Sequence, residues 1–166
     1  MSGIDLFKKR RSARAFQEKP IAKSVLEDIV DAARLAPTAR NVQPWEFVVV
    51  TGKAILKDIA AITDHGKFIA NAGACILVFC ADTKYYLEDG CAATENILLA
   101  AAALGLGACW VAADKKAYCD RINSLFSAPG SFKLVSMVAI GYLLPGEENN
   151  PVQKRGLEEV IHWEKF

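Results

Sequence analysis

Apolar residues at positions 25, 26, 29, 30, 32, 33 and 35 recur at the three-and-four spacing of an amphipathic helix, and Ser24 followed by Glu27 supplies a capping-box start. A helix is therefore predicted over residues 24–35, with one face on a core. Residues 54–62 repeat the helical spacing until His65 and Gly66 break it. Between the two helices, residues 46–51 read as a strand that Gly52 ends. Residues 74–81 form an uninterrupted apolar run of β-compatible side chains, which suits a strand buried on both faces and hence a sheet covered on both sides. The longest helical candidate spans residues 85–104. Gly105 and Gly107 interrupt its apolar run, and the shorter pattern after Gly107 suits another strand. Residues 115–126 then read as a helix, Pro129 and Gly130 as a turn, and residues 132–142 as a strand ending at Gly141. Residues 145–151 make a polar loop and residues 157–163 a last apolar-patterned segment. A short helix over residues 4–9 opens the chain.

This order of elements carries no internal repeat, low-complexity stretch or linker, so residues 1–166 are expected to form one domain. Hydrophobic residues make up 52% and charged residues 23%, which places the chain among folded, compact proteins. A net charge of +1 leaves no global field to attract nucleic acid or an anionic membrane, so neither is expected as a partner. The uncharged run over residues 97–113 approaches the ~20 residues that cross a bilayer. Glu95 and Asp114 bracket it and the two glycines divide it, which argues against a span. A helix apolar on all sides must still be buried all round. In so short a chain, the helix over residues 85–104 is predicted to lie between the sheet and a second subunit. The first ten residues lack the apolar core of a secretory signal, and a cytoplasmic protein is expected.

Five cysteines show no C-x-x-C pair, and only two histidines, His65 and His162, exist to share a metal, so no metal site is expected. Cys75, Cys80 and Cys109 sit inside apolar runs and read as small buried side chains. No G-x-G-x-x-G follows a strand, no G-K-[ST] makes a phosphate loop, and no G-x-S-x-G marks a serine hydrolase.

Two polar stretches stand out against this background. Residues 36–47 read A-P-T-A-R-N-V-Q-P-W-E-F. Pro37 and Pro44 each remove a backbone donor, which makes the segment between them a constrained loop. Thr38, Arg40, Asn41 and Gln43 then present a hydroxyl, a guanidinium and two amides suited to the edge of a polar heterocycle. The second stretch, residues 10–16, reads R-R-S-A-R-A-F. If it is extended, alternation sends Arg10, Ser12 and Arg14 to one side, a set that fits a phosphate monoester. The plainer alternatives are a solvated charge run and an ordinary helix-to-strand connection.

Together with A-L-G-L-G-A-C-W (residues 103–110), I-G-Y (140–142) and K-R-G-L-E-E-V-I-H-W (154–163), these stretches resemble, in order and over nearly the whole chain, the FMN-dependent nitroreductase family. The resemblance implies an α+β fold, a central mostly antiparallel or mixed sheet flanked by helices, in a homodimer with a long apolar helix at its interface. It also implies an enzyme that transfers hydride from NADH or NADPH through FMN, in a ping-pong cycle, to a nitroaromatic, quinone or related small-molecule acceptor. Arg10, Arg11, Ser12 and Arg14 then correspond to phosphate and ribityl contacts, with Lys154 and Arg155 adding charge from the other end of the chain. Pro37, Thr38, Ala39 and Asn41 correspond to a loop that reaches the flavin held by the partner. Gly107 and Ala108 fall near the reactive nitrogen of the ring. No side chain is assigned a catalytic role, because a flavin carries the chemistry itself. The segments after Trp45 and around residues 85–90 are short for the family, and no insertion forms an extended lid, which leaves the acceptor open. The same fold also admits a dehalogenase-like or flavin-destroying enzyme, and a flavin-binding sensor or electron-transfer module is the alternative from another class.

Overall fold

The computed structural model describes residues 3–147 and 153–166. Four strands form one antiparallel sheet in the order β1-β2-β4-β3, with β1 at Trp45–Val50, β2 at Ala74–Ala81, β3 at Gly107–Ala112 and β4 at Phe132–Gly141. Around it lie α1 (Gly3–Lys9), α2 (Lys23–Arg34), α3 (Lys53–Ile62), α4 (Tyr86–Ala103) and α5 (Cys119–Leu125). The expected α+β layout is present, and the expected buried strand is β2. Its Ile76, Val78 and Cys80 pack toward α2 and α4, while Cys75, Leu77 and Phe79 pack toward α3 and α5. An unbroken apolar run results because both faces of the strand are covered. α2 buries Leu26, Ile29 and Ala33 on one face, at about 1.5–3 kcal/mol for each fully buried Leu or Ile.

α4 comes unusually close to the sheet. A β-bulge shifts the register between Val78, opposite Ser136, and Phe79, opposite Leu134, so Val135 is the extra residue. It bulges against Gly90, where an added Cβ would stand 2.7 Å from Val135 Cγ2 and 3.0 Å from Cys80 Sγ. One turn on, Thr94 Oγ1 and Ser136 Oγ share a buried hydrogen bond of 2.7 Å, and Thr94 also donates to Gly90 O. On the α2 side, Asn96 Nδ2 donates to Ala32 O at 2.9 Å. Leu87, Cys91 and Ala100 of α4 are half-buried and pack against the same core, and Leu99 is half-buried as well.

Several boundaries depart from the sequence reading. α2 starts at Lys23 with Ala22 as its N-cap and no side-chain cap, so the expected capping box does not form. Glu27 instead pairs with Lys23 one turn before it, at 3.3 Å. The helix expected over residues 115–126 is confined to α5, because Lys115 takes the left-handed φ of 60°, which a helix does not admit. Of the polar loop expected over residues 145–151, positions 148–151 lie outside the described residues. The last segment forms a single 3-10 turn, Leu157–Glu159, and leaves Leu157, Val160, Trp163 and Phe166 exposed. No helix among the described residues is long and apolar enough to cross a membrane.

The Gly90 contact predicts how α4 responds to substitution. Alanine would ordinarily add about 1 kcal/mol of helix stability over glycine, but here the methyl has to displace Val135, and overpacking costs about 1–3 kcal/mol. Gly90→Val should lower the urea midpoint clearly, and Gly90→Ala should show none of its propensity gain. Gly52→Ala, where the added atom meets only Ile55 Cδ1 at 3.9 Å, should stay near wild type. A wild-type midpoint for Gly90→Val would show that α4 does not need this approach.

Candidate functional site

After α1 the chain runs extended across the ends of β3 and β4. Ser12 pairs with Ala108 in a parallel bridge and Phe16 with Leu143 in an antiparallel one. The amides of Ala13 and Gln17 donate to the carbonyls of Ala108 and Tyr142, each at 2.9 Å. The Gln17 side chain adds a bond to Leu143 O. Two glycines permit this seating. A Cβ on Gly107 would lie 2.4 Å from Leu143 Cδ2 and 2.7 Å from the Ala13 methyl, and one on Gly141 would lie 2.6 Å from Phe16 Cδ1. A side chain at either position would lift the arm off the sheet. Ala13 and Phe16 are buried in return.

With Ala13 turned inward, alternation exposes Ser12 and Arg14 on either side of it, and the alternation does not continue to Phe16, which is buried. Arg10, Ser12 and Arg14 act on a common neighbour, the Cys109 thiol of β3. Burial pushes that thiol up, while Arg14, the Ser12 hydroxyl and Arg10 pull it back. All three belong to the arm that Ser12 joins to Ala108 of β3. Neither Arg10 nor Arg14 has a carboxylate partner among the described residues. Arg14 does lie 5.9 Å from the centre of the Phe68 ring. Two uncompensated guanidinium groups with a hydroxyl between them suit a phosphate. Arg11 makes a different contact: its guanidinium pairs with Glu147 Oε2 at 3.3 Å.

The loop between Pro37 and Pro44 is held under strain. Arg40, Asn41 and Gln43 adopt left-handed φ values of 55°, 56° and 52°, a conformation that costs non-glycine residues about 1–3 kcal/mol each and asparagine less. Inside the loop, the Gln43 amide donates to Thr38 Oγ1 at 3.2 Å and the Gln43 side chain to Asn41 O at 3.4 Å. A tether to the core runs from the Ala39 amide to Asp89 Oδ1 of α4 at 3.1 Å. The outcome is a fixed loop with Pro37, Arg40, Asn41, Val42 and Gln43 exposed and Thr38 and Ala39 half-buried. Sequence reasoning did not single out Asp89, which is only 5% exposed. The available signal was a carboxylate set directly before a glycine in the first turn of a helix.

Gly105 ends α4 with a left-handed φ of 74°, and Ala108 is buried where β3 meets the arm. Lys154 and Arg155 follow the undescribed segment, are exposed, and make no hydrogen bond or ion pair among the described residues. Arg10, Ser12 and Arg14 thus lie on the arm that is seated against Gly107 and Ala108. His65 and His162 are exposed, and His162 stacks on Phe166 at 4.2 Å. Burial pushes Cys75 and Cys80 up to about 12 and also raises Cys91 and Cys119, so none is poised as a thiolate at neutral pH. A groove of about 1250 Å³ runs between α2, the end of β1 and α3, past Val30, Arg34, Val49 and Lys53, and none of the site residues lines it.

Comparison with known proteins bears on this arrangement. The chain matches the family described as the nitroreductase family over residues 7–72 and 65–142. It is 35% identical, over 95% of its length and 94% of the relative's, to an Archaeoglobus fulgidus protein provisionally named as an NADH dehydrogenase/NAD(P)H nitroreductase. A crystal structure from Bacteroides thetaiotaomicron with a name of the same kind superposes with a TM-score of 0.92 at 30% identity, over 99% of this chain and 98% of that one. A structure titled FMN-dependent nitroreductase, from Clostridium difficile, superposes with a TM-score of 0.89 at 28% identity, over 98% of this chain and 99% of that one. The motifs that converge on the sheet end are thus carried by a chain that belongs, over most of its length, to the nitroreductase family.

Proposed function

We propose that the protein is a homodimeric, FMN-dependent NAD(P)H oxidoreductase that reduces a nitroaromatic, quinone or related small-molecule acceptor. The observation that carries this reading is the arm bearing Arg10, Ser12 and Arg14, which is seated on β3 through the Ser12–Ala108 bridge and includes two cations without a carboxylate partner among the described residues. Bound FMN supplies two-electron chemistry between a nicotinamide and an acceptor. The chain's own residues have simpler tasks. Arg10 and Arg14 would neutralise the phosphate and Ser12 would hydrogen-bond it, with Lys154 and Arg155 adding charge. Gly107 and Ala108 would offer backbone at the reactive end of the ring. Pro37, Thr38, Ala39 and Asn41 would approach the flavin held by the other subunit. A second copy would also cover Leu157, Val160, Trp163 and Phe166, of which Trp163 is 79% exposed.

The functional test is steady-state oxidation of NADH and NADPH by the flavin-loaded protein with added nitroaromatics and quinones. Acceptor-dependent turnover is expected. Tight FMN binding without turnover would instead favour a sensor or electron-transfer module. In sedimentation the protein should run as a dimer with one FMN per chain, and a monomer at micromolar concentration would overturn the subunit assignment.

Arg10→Ala and Arg14→Ala should each weaken FMN binding about ten- to a hundredfold, as expected for loss of charge-assisted hydrogen bonds of about 1.5–3 kcal/mol. Lys115→Ala and Lys116→Ala should not. Equal FMN affinities across all four variants would refute the phosphate assignment. If no side chain acts as acid, base or nucleophile, then replacing His65, His162, Cys91 or Cys119 should leave the rate of flavin reduction nearly intact in stopped-flow measurements. A several-hundredfold loss in a variant that still holds FMN would reveal such a group.

A further inference from the structure

We propose that Asp89 is a positioning residue: by accepting the Ala39 amide hydrogen, its carboxylate holds the loop of residues 38–43 in the strained form that faces the flavin. The assignment rests on the functional reading above and adds a residue that this reading does not use. Asp89 is buried, in the first turn of α4, and the Ala39 amide is the hydrogen-bond donor that its carboxylate has among the described residues, at 3.1 Å. A carboxylate is a costly group to bury for one backbone hydrogen bond. Its place near the helix N-terminus offsets part of that cost, and the stretch it serves is otherwise polar and exposed.

The loop explains why such a tether is needed. Its other hydrogen bonds join loop residues to one another, Asn41 N–H to Thr38 O, Val42 N–H to Ala39 O and Gln43 N–H to Thr38 Oγ1. They can travel with the loop as a unit. Pro44 fixes the exit, through the Ala81 amide donating to its carbonyl at 2.8 Å. The Ala39–Asp89 bond fixes the entry, one residue before the run in which Arg40, Asn41 and Gln43 take left-handed conformations. Gly90 is pressed against Val135, so Asp89 cannot drift with the loop: α4 is seated on the sheet at the adjacent residue. The loop's position is thereby referred to the sheet, which is also what carries the Arg10, Ser12 and Arg14 cluster.

The tether can be cut from either end. Asp89→Leu removes the acceptor and Asp89→Asn keeps one. Ala39→Pro removes the donor and sets a ring methylene against Asp89 Oδ1, so the loop has to part from α4 while Asp89 itself is unchanged. Thr38 is already extended, with φ −131° and ψ 154°, which suits a following proline, and Ala39 opens a 3-10 turn, where proline is tolerated. For the wild type and these variants, we would titrate FMN, record the visible spectrum of the bound flavin, and measure kcat and KM for NADH with a quinone acceptor. The expected result is that Ala39→Pro and Asp89→Leu weaken FMN binding about tenfold, as for one lost hydrogen bond to a charged group, and shift the flavin absorption band. Both should lower kcat, and Asp89→Asn should restore affinity and spectrum toward wild type. If Asp89→Leu fails to fold, Ala39→Pro alone decides. A folded Ala39→Pro variant with wild-type FMN affinity, spectrum and kcat would overturn the positioning role while leaving the flavin reading intact. A wild-type protein that takes up no FMN would overturn the functional reading itself, and this assignment with it.

Discussion

The candidate site depends on how closely the N-terminal arm can lie on the end of the sheet. Strands β3 and β4 each present a glycine there, and the missing Cβ atoms of Gly107 and Gly141 are the space that Ala13 and Phe16 occupy. Once those two side chains are seated, the polar positions between and beside them have no freedom to choose a side. Ser12 and Arg14 face outward because Ala13, between them, faces inward, and the backbone bonds from Ala13 and Gln17 set the register. The basic cluster is thus a consequence of packing. Three of the motifs that mark the family, R-R-S-A-R-A-F, the G-L-G-A-C-W stretch and I-G-Y, are in physical terms one contact.

The second polar stretch is held on a different principle. The arm gains its position from strand pairing and burial, which tolerate little alternative geometry. The loop between the two prolines has little apolar surface to bury, and it carries three left-handed residues whose conformations oppose it. It is fixed by polar bonds, with the buried carboxylate of Asp89 as its link to α4. One half of the candidate site is therefore set by apolar packing and the other by a hydrogen bond to a desolvated charge. Both are referred to the same sheet, because α4 is seated on it through Gly90 and the Val135 bulge.

This division fits a family whose cofactor carries the reaction. The cysteine thiols are pushed up by burial, and the histidines lie at the surface. What the fold supplies is charge, hydrogen-bond donors and close backbone approach, each placed by an element of the sheet or by α4. The same fold leaves Leu157, Val160, Trp163 and Phe166 exposed at the last residues.

The sequence by itself determined the layers. The period of apolar residues located α2, α3 and α4, and the unbroken run of β2 announced a sheet covered on both faces, because burial on one face or two leaves a direct trace in residue order. It also supplied the chemistry of the arm, since alternation in an extended segment follows from the backbone alone. Ser24 was misleading as a cap because a capping box in sequence says nothing of where the preceding chain enters the helix. Lys115 hid the late start of α5 because a left-handed lysine carries no compositional mark. Only the tertiary structure decided that Gly107 and Gly141 are gaps for Ala13 and Phe16, that Arg11 turns to Glu147, and that Asp89 reaches across fifty positions to the Ala39 amide. Those outcomes depend on which surfaces meet when α4 and the arm close on the sheet, and contacts between residues far apart in the chain leave no period in the sequence to be read.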